Sequence, residues 1–133
     1  MCGFAGFIGF SGFSKDSLES TASSMADAIS HRGPDDFGIW CDDSAEVLLT
    51  HRRLSILDIS RAGHQPMVSP SGRFVIAYNG EIYNHNDLRA KLKGTRQKEN
   101  WKGGSDTETL LALIEADGVA SALDQIVGMF AFA

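Results

Sequence analysis

The sequence predicts one α+β domain. Three observations carry that reading. Apolar runs of strand length recur at residues 3–10, 37–40, 46–51, 73–78 and 127–133. Two segments, 16–30 and 105–117, instead space their apolar residues as a helix does. The connections carry Gly, Pro, Asn, Asp and Ser, the residues that turns require. A chain of 133 residues suffices for one hydrophobic core but not for two.

Each element follows from local chemistry. Residues 3–10 mix Phe4, Phe7, Ile8 and Phe10 with small residues. That is a buried strand whose glycines suit close approach by a backbone or a ligand. After a turn at 11–14, Leu18, Ala22, Met25 and Ile29 line one helical face, with Ser14 or Asp16 as the cap. His31 to Asp36 is a loop by composition. Residues 37–40 and 46–51 are two strands joined by Asp42-Asp43-Ser44. A short apolar piece, 54–59, and a loop with Gly63, Pro66, Pro70 and Gly72 follow. Residues 73–78 read as a strand, and Asn79-Gly80, a hairpin dipeptide, turns the chain back through 81–83. Asn84 or Asn86 caps a helix over 87–93, and 94–104 is polar and irregular. Ser105 and Glu108 form a capping box for the helix that Gly118 closes. A short helix at 119–125 and a strand at 127–133 complete the chain. That strand ends without turn, cap or polar tail, so the sequence reads as a piece of a longer protein.

Composition narrows the function. Hydrophobic residues make up 43% of the chain, which suits a globular domain rather than a disordered one. A net charge of −5 without a basic run argues against nucleic acid or an anionic membrane as partner. No apolar stretch approaches membrane-spanning length, and no signal peptide pattern is visible. Cys2 and Cys41 are expected to be reduced, in a cytoplasmic protein. The aromatic residues, including Trp40 and Trp101, are expected in the core. His31, His51, His64 and His85 lack metal-ligand spacing, so no metal is expected.

The chemistry starts at the second residue. Methionine aminopeptidases remove Met1 when a small residue follows, and Cys2 is small enough. Removal puts a thiol and a free α-amine on one residue, a nucleophile beside its own base. An α-amine titrates at about 7.7–8.0 in peptides, close to working pH. Three further stretches stand out: His51-Arg52-Arg53-Leu54-Ser55-Ile56, Tyr78-Asn79-Gly80-Glu81-Ile82-Tyr83-Asn84 and Gly104-Ser105-Asp106-Thr107-Glu108. They supply a guanidinium fork, an amide donor, a tight backbone and carboxylates. Singly, each has a plainer reading. Cys2 is a small residue after Met1, and Asn79-Gly80 is a turn. Arg53 is a surface cation, and Asp106 is a first-turn helix acid. Strand alternation sends Arg52 and Arg53 to opposite faces, so only one of them reaches any one site.

Taken jointly, the stretches resemble the N-terminal glutaminase domain of the asparagine synthetase family, a class II glutamine amidotransferase of the N-terminal-nucleophile hydrolase type. His31-Arg32-Gly33-Pro34-Asp35, Gly63-His64-Gln65-Pro66-Met67 and Gly128-Met129-Phe130-Ala131-Phe132-Ala133 match the same family, in its order and over nearly the whole chain. The resemblance implies a four-layer αββα sandwich of two antiparallel sheets, truncated at its C-terminal end. It implies that residues 1–133 are a partial glutaminase domain. By the same resemblance, Cys2 attacks the amide carbon of L-glutamine and releases ammonia through a thioester. The Asn79 side chain and the Gly80 N–H stabilise the oxyanion. Arg53 grips the α-carboxylate, Asp106 holds the α-ammonium, and Glu81 makes a further contact. Backbone groups of Leu54, Ser55, Ile56 and Leu57 line the pocket.

The resemblance also sets the partners. Ammonia passes to the parent protein's own synthetase domain, which uses ATP and Mg. This stretch has no Gly-rich phosphate loop, and no cofactor is expected for it. The missing later strands leave an open sheet edge, which association into a homodimer would satisfy. An amidotransferase with another carboxylate acceptor would look the same here. The rival from another class is a catalytically silent assembly domain.

Overall fold

The computed structural model describes residues 2–9, 11–92 and 101–133. Strand β1 (Gly3–Ile8), helix α1 (Lys15–Ala28) and strands β2 (Asp36–Asp42) and β3 (Val47–Arg53) form the first half. The three strands make an antiparallel sheet in the order β1-β3-β2. The second half holds β4 (Met67–Val68), β5 (Val75–Ile76), β6 (Tyr78–Ile82), α2 (His85–Leu92), α3 (Asp106–Asp117), α4 (Val119–Gln125) and β7 (Gly128–Phe132). There β4 pairs with β5 and β6 with β7, both antiparallel. The fold is therefore α+β, with a sheet sandwich and helices outside it.

Alternation along β3 builds the layers. Leu48 packs with Leu18 and Ala22 of α1, and Arg52 donates to Ala26 O at the helix end. Leu49, His51 and Arg53 face the other way, toward β5 and β6. His51 is fully buried, and its Nε2 lies 2.9 Å from Tyr78 O. A carbonyl needs a donor, so Nε2 carries the proton. Among the described residues His51 Nδ1 has no partner, and burial holds the imidazole below its ordinary pKa. The larger cluster lies beyond β6, where Ile76, Tyr78 and Ile82 meet Leu88, Leu110 and Ile114.

The capping signals are partly redistributed. Ser14 Oγ accepts from Ser17 N–H and caps α1. Gly118, at φ +82°, closes α3. Ser105 Oγ accepts from Glu108 N–H as expected, but the Glu108 carboxylate reaches past the box to Lys102 and Gly103 N–H. Arg89 of α2 draws it there with an ion pair of 3.1 Å. Arg89 also donates to Gly103 O and lies 4.0 Å from the Trp101 ring centre. This clamp sets where α3 begins. Asn84 stands at the N-cap position of α2, its carbonyl accepting from Leu88 N–H, but its side chain goes elsewhere: the amide donates to Gln125 O and accepts from Val127 N–H, pinning the entry to β7. The expected helix end at Lys93 and most of the loop at 94–104 lie outside the described residues.

Two expectations are corrected. Asn79-Gly80 is no hairpin turn. It lies inside β6, with Asn79 opposite Ala131 and Gly80 opposite Phe130. The long-range partner β7 overrides the local turn preference, and the strand expected over 73–78 shortens to β5 before β6 takes over. The tryptophans and phenylalanines do not fill the core; Phe7, Phe74, Trp101, Phe130 and Phe132 pack against its edge. The buried side chains are mainly aliphatic, and Trp40, Phe74, Phe130 and Phe132 are half-buried. The sheets splay apart at the end away from Arg53, leaving a cleft of about 660 Å³ that Phe4, Trp40, Phe74 and Ala133 line.

The buried neutral His51 gives a pH prediction. Its folded pKa lies below the unfolded value near 6.5, so the unfolded chain binds the extra proton. The stability it permits is complete above about pH 6.5 and falls as pH drops below that, by at most about 1.4 kcal/mol per pH unit. Denaturant unfolding between about pH 7 and pH 5 should show a shallower slope in His51→Gln than in the wild type; equal slopes would remove His51 as the cause.

Candidate active site

One end of β1 places Cys2 against the loop after β3. The Cys2 sulfur accepts from Leu54 N–H at 3.3 Å, and the Cys2 carbonyl accepts from Arg32 Nε at 3.0 Å. The His31–Asp35 motif thus acts as a bracket for the thiol. Gly33 permits it, because a Cβ there would lie 2.4 Å from the Arg52 carbonyl. Asp35 then accepts from Ser55 N–H at 2.7 Å. Met1 lies outside the described residues.

Strand β6 supplies the donors. Ala77 exchanges both backbone bonds with Ala133, and Tyr83 N–H reaches Val127 O. Odd-numbered residues therefore point their N–H groups at β7, and even-numbered ones point away from it. On that outer edge Tyr78 N–H goes to Gln65 Oε1 at 2.7 Å, and Ile82 N–H to Asp106 Oδ2 at 3.0 Å. Gly80 N–H lies between them, facing the cavity. Only glycine fits: a Cβ would sit 2.4 Å from Met129 O and 2.6 Å from Phe130 Cα.

Asp106 starts α3 and is 5% exposed. Its carboxylate accepts from Tyr78 OH at 2.9 Å, Ile82 N–H at 3.0 Å and Thr107 N–H at 2.9 Å. Three donors stabilise the anion without neutralising its charge. Burial, and then the Asp106 charge beside it, drive the Tyr78 hydroxyl far above its ordinary pKa, so it stays protonated as a donor. Arg53 is 7% exposed. Its fork donates to Ser60 O at 2.8 Å and also to Asp58 O. That bends residues 58–60 around the guanidinium and leaves its other N–H groups for a ligand. Arg52 points to the opposite face and pairs with Asp27.

These groups converge on one cavity of about 160 Å³. Cys2, Arg53, Leu54, Ile56, Leu57, Asn79, Gly80, Glu81 and Asp106 all line it. Ser55 does not, since its N–H is turned to Asp35. Sequence reasoning missed Gln65, Tyr78, Asp58 and Thr107, which line the same cavity. Gln65 lay inside a motif already singled out, and Tyr78 beside Asn79, so the signal was present but had no partner to give it meaning. The Ser60 hydrogen bond, and after it the Gly104 and Ser60 N–H groups and Arg53, hold the Asp58 carboxyl below its usual range despite partial burial. Cys41 lies elsewhere and is exposed. Burial of its sulfur, then the Asp43 and Asp42 carboxylates, push its thiol upward, away from the reactive thiolate. Among the described residues, no group of three or more His, Cys, Asp and Glu is arranged to hold a metal ion, and no helix is long and apolar enough to cross a membrane.

A thiol, an amide donor on a strand, a guanidinium and a carboxylate thus meet in one hollow. A family model described as a glutamine amidotransferase domain matches residues 1–133. The chain belongs to this glutamine amidotransferase family. Its relatives include asparagine synthetase B [glutamine-hydrolyzing] of Escherichia coli, 46% identical over 112 residues, which are 84% of this chain and 19% of the relative. Asparagine synthetase [glutamine-hydrolyzing] 2 of Bacillus subtilis is 43% identical over 82% of the chain and 14% of the relative. Amidase chry2 of Gibberella zeae is 39% identical over 80% of the chain and 15% of the relative. The chain thus spans less than a fifth of the length of these relatives.

The Gly80 contacts make an amidotransferase-site prediction that needs no substrate. Gly80→Ala must push β7 from β6, at a cost of roughly 1–3 kcal/mol. A thermal scan should show a lower Tm; an unchanged Tm would contradict the close approach.

Proposed function

We propose that this chain hydrolyses L-glutamine to glutamate and ammonia, with Cys2 as nucleophile. The observation that carries the reading is the convergence of Cys2, Asn79, Gly80, Arg53 and Asp106 on one cavity. Once Met1 is removed, the Cys2 α-amine takes the thiol proton. The sulfur bonds to the amide carbon, and the carbonyl electron pair moves onto oxygen. In this reading the Asn79 amide and the Gly80 N–H receive that oxyanion, and Arg53 and Asp106 fix the two charges of the amino acid. Collapse expels ammonia, which takes the proton from the amine. Water then opens the thioester to glutamate and regenerates the thiol.

Beyond this half-reaction, the parent protein is proposed to be an asparagine synthetase. Its own synthetase domain, with ATP and Mg, receives the ammonia in the cytoplasm, and the parent is proposed to associate as a homodimer. The names of the Escherichia coli and Bacillus subtilis relatives support this reading. The relative named an amidase favours a second one, in which the same glutaminase serves another acceptor.

Cys2→Ala should abolish ammonia release, and a glutamine-analogue electrophile should label Cys2 and not Cys41. Turnover that survives Cys2→Ala would end the proposal. Arg53→Ala should raise KM for glutamine by about tenfold or more with a smaller change in kcat, as expected for a lost binding contact. A normal KM in steady-state assays would contradict the role of Arg53.

A further inference from the structure

The motif Gly63-His64-Gln65-Pro66-Met67 has no part in the proposed chemistry, yet its central residue is buried inside the site. Gln65 is 5% exposed. Its Oε1 accepts from Tyr78 N–H at 2.7 Å, and its Nε2 donates to Thr107 Oγ1 at 3.3 Å. The amide orientation follows from chemistry, because a peptide N–H must meet the oxygen end. Tyr78 directly precedes Asn79, and Thr107 directly follows Asp106. Gln65 therefore joins the strand that carries the oxyanion donors to the helix start that carries the buried carboxylate.

The outer edge of β6 makes this bond consequential. Among the described residues no strand pairs there. The angle at which Asn79 and Gly80 face the cavity depends on side chains that hold the neighbouring peptides. Three do so: Gln65 at Tyr78 N–H, His51 at Tyr78 O, and Asp106 at Ile82 N–H. Asp106 itself faces the proposed substrate, and His51 belongs to the core between the sheets. Gln65 touches both halves of the site from a segment outside either of them.

We infer that Gln65 is a positioning residue, which aligns the Asn79 and Gly80 donors for the transition state by fixing the Tyr78 peptide against Thr107. The inference rests on the glutaminase reading above. Its shorter bond is to the donor strand, so its loss acts on kcat rather than on glutamine binding.

The test uses the full-length protein and three variants. Gln65→Met keeps the side-chain length and removes both hydrogen bonds. Gln65→Glu keeps an oxygen for Tyr78 N–H, and the Thr107 hydroxyl can rotate to donate to the second oxygen. Thr107→Val deletes only the longer bond. Ammonia release from glutamine gives kcat and KM. Inhibition by glutamate γ-semialdehyde, which forms a tetrahedral adduct with a thiol, reports the oxyanion site. Gln65→Met should lower kcat by roughly tenfold or more and weaken the aldehyde by a similar factor, with KM moved by less than about threefold. Gln65→Glu should restore kcat to within about threefold, and Thr107→Val, which frees Gln65 from α3 but leaves its bond to Tyr78 N–H, should lower kcat by less than Gln65→Met does. If Gln65→Met does not fold, Gln65→Asn, one methylene too short, carries the same expectation. A normal kcat in the variant that folds, a rise in KM alone, or no recovery in Gln65→Glu overturns the inference while leaving the glutaminase reading intact. A wild-type protein that releases no ammonia from glutamine overturns both.

Discussion

The outer edge of β6 is the constraint on which the site depends. A strand with a partner on one side only leaves half of its peptide groups unpaired, and buried peptide groups must be satisfied. Here β7 takes the odd-numbered residues, and side chains from three distant segments take Tyr78 and Ile82. Gly80, between them, keeps its N–H toward the cavity. Folding thus leaves one backbone donor directed at a hollow, with rigid neighbours on both sides. That is the geometry a developing oxyanion requires, since donors fixed in advance need no reorganisation during reaction.

The same economy governs the charges. Asp106 is buried, and a buried carboxylate needs hydrogen-bond partners. Two backbone N–H groups and the Tyr78 hydroxyl hold it. Arg53 is buried too, and its fork is steadied by carbonyls rather than by a carboxylate. Neither charge is cancelled by the other, so both remain available to a zwitterionic ligand. The surrounding loop is shaped by those bonds: Asp58 and Ser60 wrap the guanidinium, and Asp58 in turn accepts from Gly104 N–H just ahead of α3. Gly63 lies so close to the Arg53 fork that a Cβ there would meet Nη2 at 1.9 Å.

Much of this could be read from the residues. The helices at 15–28 and 106–117 follow from apolar spacing and from Ser14 and Ser105, whose side chains cap locally. The split between Arg52 and Arg53 follows from strand alternation alone. Asn79-Gly80 misled for an equally local reason. The dipeptide favours a turn only when no other strand competes for its neighbours, and β7, about 50 residues away, does compete. The Asn84 side chain likewise bonds across the fold rather than to the N–H groups of its own helix.

What the sequence determined by itself were the properties that act over a few residues: the caps of α1 and α3, the two faces of β3 and the α+β class. The order of its motifs also marked the family. Only the tertiary structure decided what those residues do to one another. It placed Gly80 N–H at an edge no described strand pairs, set the half-buried aromatics at the rim of the core, and gave Gln65, Tyr78 and Arg32 their partners. Each of those outcomes depends on a contact between segments far apart in the chain. Local propensity cannot encode such contacts, because their free energy appears only when both segments are buried together.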